Sequence, residues 1–487
     1  MLGIVRRSSE IESEKRHDIP SVRAARRRIV TLPDSPAGVK DQSAARRAAA
    51  PFAPRHRLTA ANGRARLRDM DLHDTIRLLG DRALAASRRL AGLAGRRKNA
   101  ILEAMAQEIA ARRPALQEAN RQDVADARAA GLAAAIVDRL TLTDGRLDAM
   151  IKGIREVAAL PDPVGKRLSK RVRADGLAIE KRRVPIGVVA IIYESRPNVT
   201  ADAAVLCIKS GNAVILRGGK EALRSNLAVA AALEAGGRKA GLPEHAVQIV
   251  ATTDRDAVRE LVQMDDRVDV VIPRGGESLI RAVVEQSRVP VLKHYKGVCH
   301  VYVDAAADLD QALAIAENAK CQRPGTCNAA ETLLVHADVA PVFLPRFAEA
   351  AARCRLEVRG DEASRRLVPG WKAATEEDWS AEYLDLILAV RVVKDLRAAI
   401  DHINKYGSRH SDAIVTADER SARKFLKEVD SAAVFVNAST RLHDGYEFGL
   451  GAEMGISTDK LHARGPMGLE ELTTYKYLVR GSGHLRK

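Results

Sequence analysis

Cys327 lies in the segment Lys320-Cys321-Gln322-Arg323-Pro324-Gly325-Thr326-Cys327-Asn328-Ala329-Ala330-Glu331-Thr332, with a Pro-Gly pair before the thiol and the apolar run Leu333-Leu334-Val335 behind it. That layout sets a thiol at the mouth of a turn, beside backbone N–H groups and the basic Arg323. A thiol so placed can ionise near neutral pH and attack a carbonyl carbon. A lone cysteine serves equally as a small buried apolar residue, so its company decides between the two. Upstream, Val184-Pro185-Ile186-Gly187-Val188-Val189-Ala190-Ile191-Ile192 runs into Tyr193-Glu194-Ser195-Arg196-Pro197-Asn198-Val199-Thr200. The second stretch reads as a polar loop carrying Arg196 and Asn198 into a helix. An Asn amide at such a junction can donate to a developing oxyanion. It can also simply cap the helix or form an Asx turn.

Two glycine pairs add a second kind of chemistry. Leu216-Arg217-Gly218-Gly219-Lys220-Glu221 ends one apolar run, and Ile272-Pro273-Arg274-Gly275-Gly276-Glu277-Ser278 ends another. Glycines let a ligand approach the backbone closely, and free N–H groups at the following helix could receive a pyrophosphate. Arg217, Lys220 and Arg224 form a basic rim. An acidic residue at such a place binds the 2′-hydroxyl of NAD, whereas a basic one suits the 2′-phosphate of NADP. No G-x-G-x-x-G follows the first run, so the ordinary dinucleotide fingerprint is absent, and each glycine pair alone is a weak signal.

These residues need a scaffold, and the pattern supplies one. Residues 71–150 carry helical periodicity, with Ile101, Met105 and Ile109 on one face and Pro114 in the first turn of the next helix. Residues 163–183 are charged and read as an extended hairpin. Apolar runs then follow at 187–192, 213–216, 247–250, 268–272 and 300–303, with helical segments at 201–210, 221–239, 254–264 and 277–286 between most of them. Such alternation predicts βαβ units and mostly parallel sheets. A second alternating set opens at 329–336 and ends near 434–437. Residues 472–479 alternate like an exposed strand able to pair with a partner subunit.

The chain has 487 residues, enough for two or three domains, and a formal net charge of +16. Residues 1–69 hold 16 Lys and Arg against 7 Asp and Glu, so nine of the excess charges lie there. That segment is rich in Arg, Ala, Pro and Ser, lacks periodicity and offers no aromatic platform. It reads as a disordered basic extension rather than a nucleic-acid-binding module. It has no apolar core of a secretory signal, and Glu10, Glu12, Glu14 and Asp18 argue against a transit peptide. No uninterrupted apolar run approaches the roughly 18 residues of a membrane span. Five cysteines, 207, 299, 321, 327 and 354, include no C-x-x-C pair. That argues against a disulfide framework and a structural zinc site, so no metal is expected and a reducing, cytoplasmic setting is.

Over residues 71–485 the sequence resembles the aldehyde dehydrogenase superfamily and, within it, the gamma-glutamyl phosphate reductase family. The resemblance is carried by 191–200, 216–226, 272–278 and 322–332. It is carried further by Gly449-Leu450-Gly451-Ala452-Glu453-Met454-Gly455-Ile456-Ser457-Thr458 and Leu461-His462-Ala463-Arg464-Gly465-Pro466-Met467-Gly468-Leu469. It implies an α/β fold with two parallel-sheet, Rossmann-like domains and a small β-hairpin oligomerisation domain. The parts would be a cofactor-binding domain at 70–300, including the hairpin at 163–183, a catalytic domain at 301–445 and a C-terminal return at 446–487. It implies NADPH-dependent reduction of L-glutamate 5-phosphate to the 5-semialdehyde in proline biosynthesis, through a thioester on Cys327. Asn198 and the Cys327 N–H would hold the oxyanion. Arg217, Gly218 and Lys220 would meet the adenosine phosphate, Gly275 and Gly276 the cofactor backbone, and Glu382 the nicotinamide ribose. Arg196, Lys293, Arg323, Asn437, Ser439 and Arg464 would contact the substrate. A homo-oligomer, and a transient association with the glutamate 5-kinase that makes the labile substrate, would fit this reaction. Aldehyde-oxidising members carry a base glutamate in a Glu-Leu-Gly-Gly segment. The matching stretch here, Val291-Leu292-Lys293-His294-Tyr295-Lys296-Gly297, has no carboxylate. Water attack on a thioester should then be slow, which favours the phosphate-dependent reaction.

Overall fold

The computed structural model describes residues 71–486; the basic segment 1–69, expected to be disordered, lies outside them. Helices Leu72–Leu90, Gly95–Ala111, Arg113–Ala129, Ala134–Leu140 and Asp144–Ala159 open the described chain. Ile101, Met105 and Ile109 point into the core, as their spacing predicts. Helix Gly95–Ala111 lies against helix Leu223–Lys239 so closely that a Cβ at Gly236 would stand 2.4 Å from the Ala104 carbonyl oxygen. Two buried lysines tie this helical layer to the rest. Lys98 Nζ donates to Asp162 at 2.8 Å and to the Lys209 carbonyl at 2.9 Å, and Lys209 Nζ donates to Asn99 and to the Ala158 carbonyl. Among the described residues no helix is long and apolar enough to cross a membrane.

Strands β1 (Arg167–Val172) and β2 (Ala178–Pro185) form the expected hairpin. Strands β3 (Val188–Tyr193), β4 (Ala213–Arg217), β5 (Val247–Ile249) and β6 (Val270–Arg274) form a parallel sheet in the order β5-β4-β3-β6. β3 is buried along its whole length, as a strand covered on both faces must be. The strand order reverses between β3 and β6, which opens a crevice beyond their carboxyl ends.

A second, seven-stranded sheet holds β7 (Cys299–Val303), β8 (Ala330–His336), β9 (Glu357–Gly360), β10 (Lys372–Ala373), β11 (Ile387–Val393), β12 (Ser411–Val415) and β13 (Ala433–Val436). Its order is β10-β9-β11-β8-β7-β12-β13, parallel throughout. The run at 300–303 follows the first alternating set in sequence but belongs to this second sheet, because β7 pairs with β8 and β12. β14 (Ile456–Ser457) and β15 (Gly465–Pro466) make a small antiparallel pair. β16 (Thr473–Arg480) pairs antiparallel with β2 of its own chain and completes a three-stranded sheet.

Helix Leu309–Cys321 ends and β8 begins on either side of Cys327, and a buried ion pair joins the two ends. Lys320 Nζ stands 2.6 Å from Glu331 Oε2, both side chains fully enclosed. Burial pushes the Glu331 carboxyl up to about 7, with Lys320 opposing. Removing one partner leaves a buried charge without compensation. Lys320→Met should therefore cost about 3–5 kcal/mol in urea unfolding at neutral pH. The double variant Lys320→Met/Glu331→Leu should recover most of it; a silent single variant would show the pair to be dispensable.

Candidate active site

Four loops at the amino ends of neighbouring parallel strands build the site. Glu382 precedes β11, Cys327 precedes β8, Gly297 precedes β7 and His410 precedes β12, and these strands are adjacent in that order. The backbone of Gly297 presses on the nucleophile loop: a Cβ there would lie 1.8 Å from the Cys327 carbonyl oxygen. The Gly297 N–H donates to Glu382 Oε1 at 2.7 Å, and the Cys299 thiol donates to the Cys327 carbonyl at 3.2 Å. Asn328 anchors the other side, its amide donating to the His443 carbonyl at 3.1 Å while its oxygen accepts from Thr326 and Arg441. The carbonyl of Cys327 is thereby fixed, and its N–H lies against its own thiol.

Burial pushes the Cys327 thiol up to about 11; Arg274 opposes that shift, and Glu453 and Glu382 add to it. The thiol expected to ionise near neutrality is therefore protonated at rest. Three imidazoles continue from it. His294 and His410 meet edge to face with centroids 5.5 Å apart, and His410 and His443 do so at 5.1 Å. Burial lowers His294 and His443 to about 4 and His410 well below its usual value, so all three are neutral.

Arg274 and Arg441 bear on this thiol, and the exposed Arg196 and Arg323 lie close to them. Arg196 is lowered by burial and by Arg274 and Arg323 among its neighbours; Arg441 is lowered by burial and by Arg323, and it also feels Cys327. Among the described residues none of the four forms an ion pair with a carboxylate. Unpaired guanidinium groups side by side are a binding place for an anion with several oxygens.

The other expected site residues divide. Helix Pro197–Lys209 starts four residues earlier than its apolar pattern suggests, because Pro197 takes the first helical position. Asn198 is therefore in the first turn. Its amide donates to Asp202 at 3.0 Å, leaving the second N–H to a ligand, and burial raises Asp202 to about 6. Lys293 is paired with Asp459 at 3.1 Å, and Lys296 with Glu277 at 3.4 Å. Arg464 is held by the Asp430 carboxylate and carbonyl at 2.9 and 2.8 Å. Asn437, in a left-handed conformation at φ 54, spends its amide on both backbone groups of Thr416. Ser439 is buried and caps the short helix Thr440–Leu442. These four expected substrate contacts, Lys293, Arg464, Asn437 and Ser439, thus have internal partners instead. Arg274, Arg441, His294, His410 and Glu453 take the places around the thiol. Arg274 adjoins a glycine pair in sequence, but nothing local marks the histidines.

Beyond the carboxyl ends of β3, β4 and β6 lies a cavity of about 500 Å³, lined by residues including Tyr193, Arg217, Lys220, Arg255 and Ser278. Arg217 donates to the Gly218 carbonyl at 2.8 Å, and no carboxylate among the described residues forms an ion pair with it. Gly219 rather than Gly218 faces the cavity; a Cβ at Gly218 would strike the Asn226 amide at 2.1 Å, so packing demands that glycine. The Gly276 N–H donates to Glu194 Oε1 at 3.1 Å, and a Cβ at Gly275 would collide with the same carboxylate. The Gly276 N–H, expected to meet a pyrophosphate, thus holds an internal anion. The cavity's place at the strand-order reversal, with Arg217, Lys220 and Arg255 among its lining residues, fits a nicotinamide dinucleotide.

Burial raises Glu453 to about 7 against the pull of Arg274, so above that pH its negative charge opposes the thiolate. In Glu453→Gln the charge is gone at every pH. Alkylation of Cys327 by iodoacetamide should then run equally in both proteins below pH 7 and faster in the variant above it. Superimposable profiles would detach Glu453 from the thiol.

Comparison with known proteins assigns the family and the fold. The sequence profile of the Aldehyde dehydrogenase family matches residues 73–366. The gamma-glutamyl phosphate reductase of Geotalea daltonii is 54% identical over 418 residues, covering 86% of this chain and 100% of that protein. The one from Moorella thermoacetica is 55% identical over 408 residues, covering 84% of this chain and 98% of its own length. The crystal structure of the Thermotoga maritima gamma-glutamyl phosphate reductase superposes with a TM-score of 0.84 at 48% identity, covering 85% of this chain and all of that one. The chain is an oxidoreductase that belongs to the aldehyde dehydrogenase family and, within it, to the gamma-glutamyl phosphate reductases.

Proposed function

We propose that this enzyme reduces L-glutamate 5-phosphate to L-glutamate 5-semialdehyde and phosphate with NADPH, the second step of proline biosynthesis from glutamate. The observation that carries the reading is the group of unpaired guanidinium ions near a half-buried thiol. An acyl phosphate brings both parts they need: a carbonyl carbon for the sulfur and a dianionic leaving group for Arg274, Arg196 and Arg323. The Cys327 sulfur attacks the carbonyl, and neutral His294, with a ring nitrogen within 4.8 Å of it, is the base at hand. The Cys327 N–H and the second N–H of Asn198 hold the oxyanion. Phosphate departs toward the arginines and leaves a thioester. NADPH, when bound in the crevice, supplies the hydride that brings this carbon to the aldehyde level. Arg217, Lys220 and Arg255 would hold its 2′-phosphate, and Glu382 would meet its ribose. Residues 291–297 hold no carboxylate of the kind that activates water in aldehyde-oxidising members, which favours reduction of the thioester.

The three-stranded sheet of β1, β2 and β16 exposes Leu168, Val172, Tyr475, Tyr477 and Val479. Tyr475, Tyr477 and Val479 share one face of it and Val172 lies on the other, and these exposed apolar side chains support self-association through this sheet.

Run in reverse, glutamate 5-semialdehyde and NADP should yield reduced cofactor only when inorganic phosphate is present. Oxidation at equal rate without phosphate would overturn the proposal. Cys327→Ala should abolish this signal while still binding NADPH, as read by its fluorescence. Arg217→Ala should raise the KM for NADPH about tenfold or more, the loss of one charge-assisted contact, and leave that for NADH nearly unchanged. Equal changes for both cofactors would remove Arg217 from the 2′-phosphate.

A further inference from the structure

Three donor atoms from distant parts of the chain meet at the thiol. Cys327 Sγ, one ring nitrogen of His294 and one of His410 all lie within 4.8 Å of one another. His294 Nδ1 stands 2.7 Å from the Ile456 carbonyl oxygen, which can only accept. That nitrogen therefore carries the ring proton, and Nε2 keeps a lone pair. His410 is fully buried, its Nδ1 is 2.7 Å from Ser411 Oγ, and its Nε2 has no hydrogen-bond partner among the described residues. An orphaned polar atom in a protein interior calls for an explanation. With a proton on His410 Nδ1, Ser411 accepts from that ring and passes its own hydrogen to His443 Nδ1, 2.7 Å away. His410 Nε2 then also offers a lone pair.

A thiolate with two neutral imidazoles is a donor set for Zn2+ and similar thiophilic divalent cations. Donors around a tetrahedral zinc ion stand roughly 3.3–3.6 Å apart, so the three need to close by at most about 1.5 Å, within reach of side-chain rotation. The outer hydrogen bonds that orient metal-bound imidazoles are already in place, from Ile456 to one ring and Ser411 to the other. Arg274 and Arg441, with Arg196 and Arg323 near them, repel a cation here, and the carboxylates of Glu453 and Glu382 offset part of that repulsion.

We propose that Cys327, His294 and His410 form a zinc-binding site that reversibly shuts the enzyme off by capturing its thiol. On binding, the S–H bond breaks, a Zn–S bond forms and the proton passes to solvent; nothing is oxidised or reduced. Two imidazole nitrogens complete the protein ligands, and the fourth position takes water. The shut-off rests on Cys327 being the nucleophile, whereas metal binding rests on geometry alone.

The full-length protein titrated with Co2+ separates the two. One equivalent should bring up visible bands of a tetrahedral ion and a near-ultraviolet sulfur-to-cobalt band. Cys327→Ser should lose the near-ultraviolet band, and His410→Gln should bind Co2+ at least about tenfold more weakly. Zn2+ should protect Cys327 from iodoacetamide, inhibit turnover, and release it on chelation. Absence of the sulfur-to-cobalt band in the unaltered protein would overturn the proposal, whatever the fate of the variants. So would equal Zn2+ sensitivity of the unaltered protein and His410→Gln.

Discussion

The enclosed pairing of Lys320 with Glu331 is the constraint on which the reactive centre depends. It joins the end of helix Leu309–Cys321 to the start of β8, and the intervening loop carries Cys327. A loop tied at both ends has few conformations left, so its thiol can be aimed by a handful of further contacts. Gly297 and Cys299 fix the Cys327 carbonyl, and Asn328 fixes the next residue. Glu331 also accepts from the Leu384 N–H at 3.4 Å, which brings in the segment bearing Glu382. A buried ion pair adds little net stability over an apolar pair of similar size, but it fails badly if one half is lost. Here it serves registration of the loop more than strength.

The two sheets then bring unlike chemistry face to face. The crevice for the dinucleotide lies at the carboxyl ends of the first sheet, where the strand order reverses. The thiol lies at the amino ends of the second. Arg274, at the carboxyl end of β6, belongs by position to the first group and by charge to the second, since it opposes the rise in the thiol's pKa. The same residue bears on His294, Asp202 and Glu453. A single guanidinium thus bears on four groups from separate parts of the chain.

What the sequence made legible was whatever depends on local pattern. The alternation of short apolar runs with helices located the parallel strands, the Pro-Gly turn drew attention to Cys327, and the helix Glu277–Gln286 has the limits its periodicity suggests. The assignment of polar side chains was not legible, because their partners lie far off in sequence. Arg464 looks like an anion-binding residue until Asp430 is seen beside it, and Asn437 like a ligand contact until both its amide atoms are found on Thr416. His410 shows the converse. Nothing around it in sequence suggests a site, and only the strand order β12-β7-β8 brings it to the thiol.

Glu194 gives the crevice a property that its lining residues alone do not. Its carboxylate rests on the Gly276 N–H at the start of helix Glu277–Gln286. Any external anion that reaches for that N–H competes with a tethered one, present at the high effective concentration of an intramolecular group. Affinity at this end of the crevice is therefore a difference between two anions rather than the strength of one. A ligand with weak or diffuse charge gains little by the exchange, whereas one with concentrated negative charge can drive it. The same residue spares the helix terminus an unsatisfied donor while no ligand is bound, so the crevice is stable when vacant and discriminating when approached.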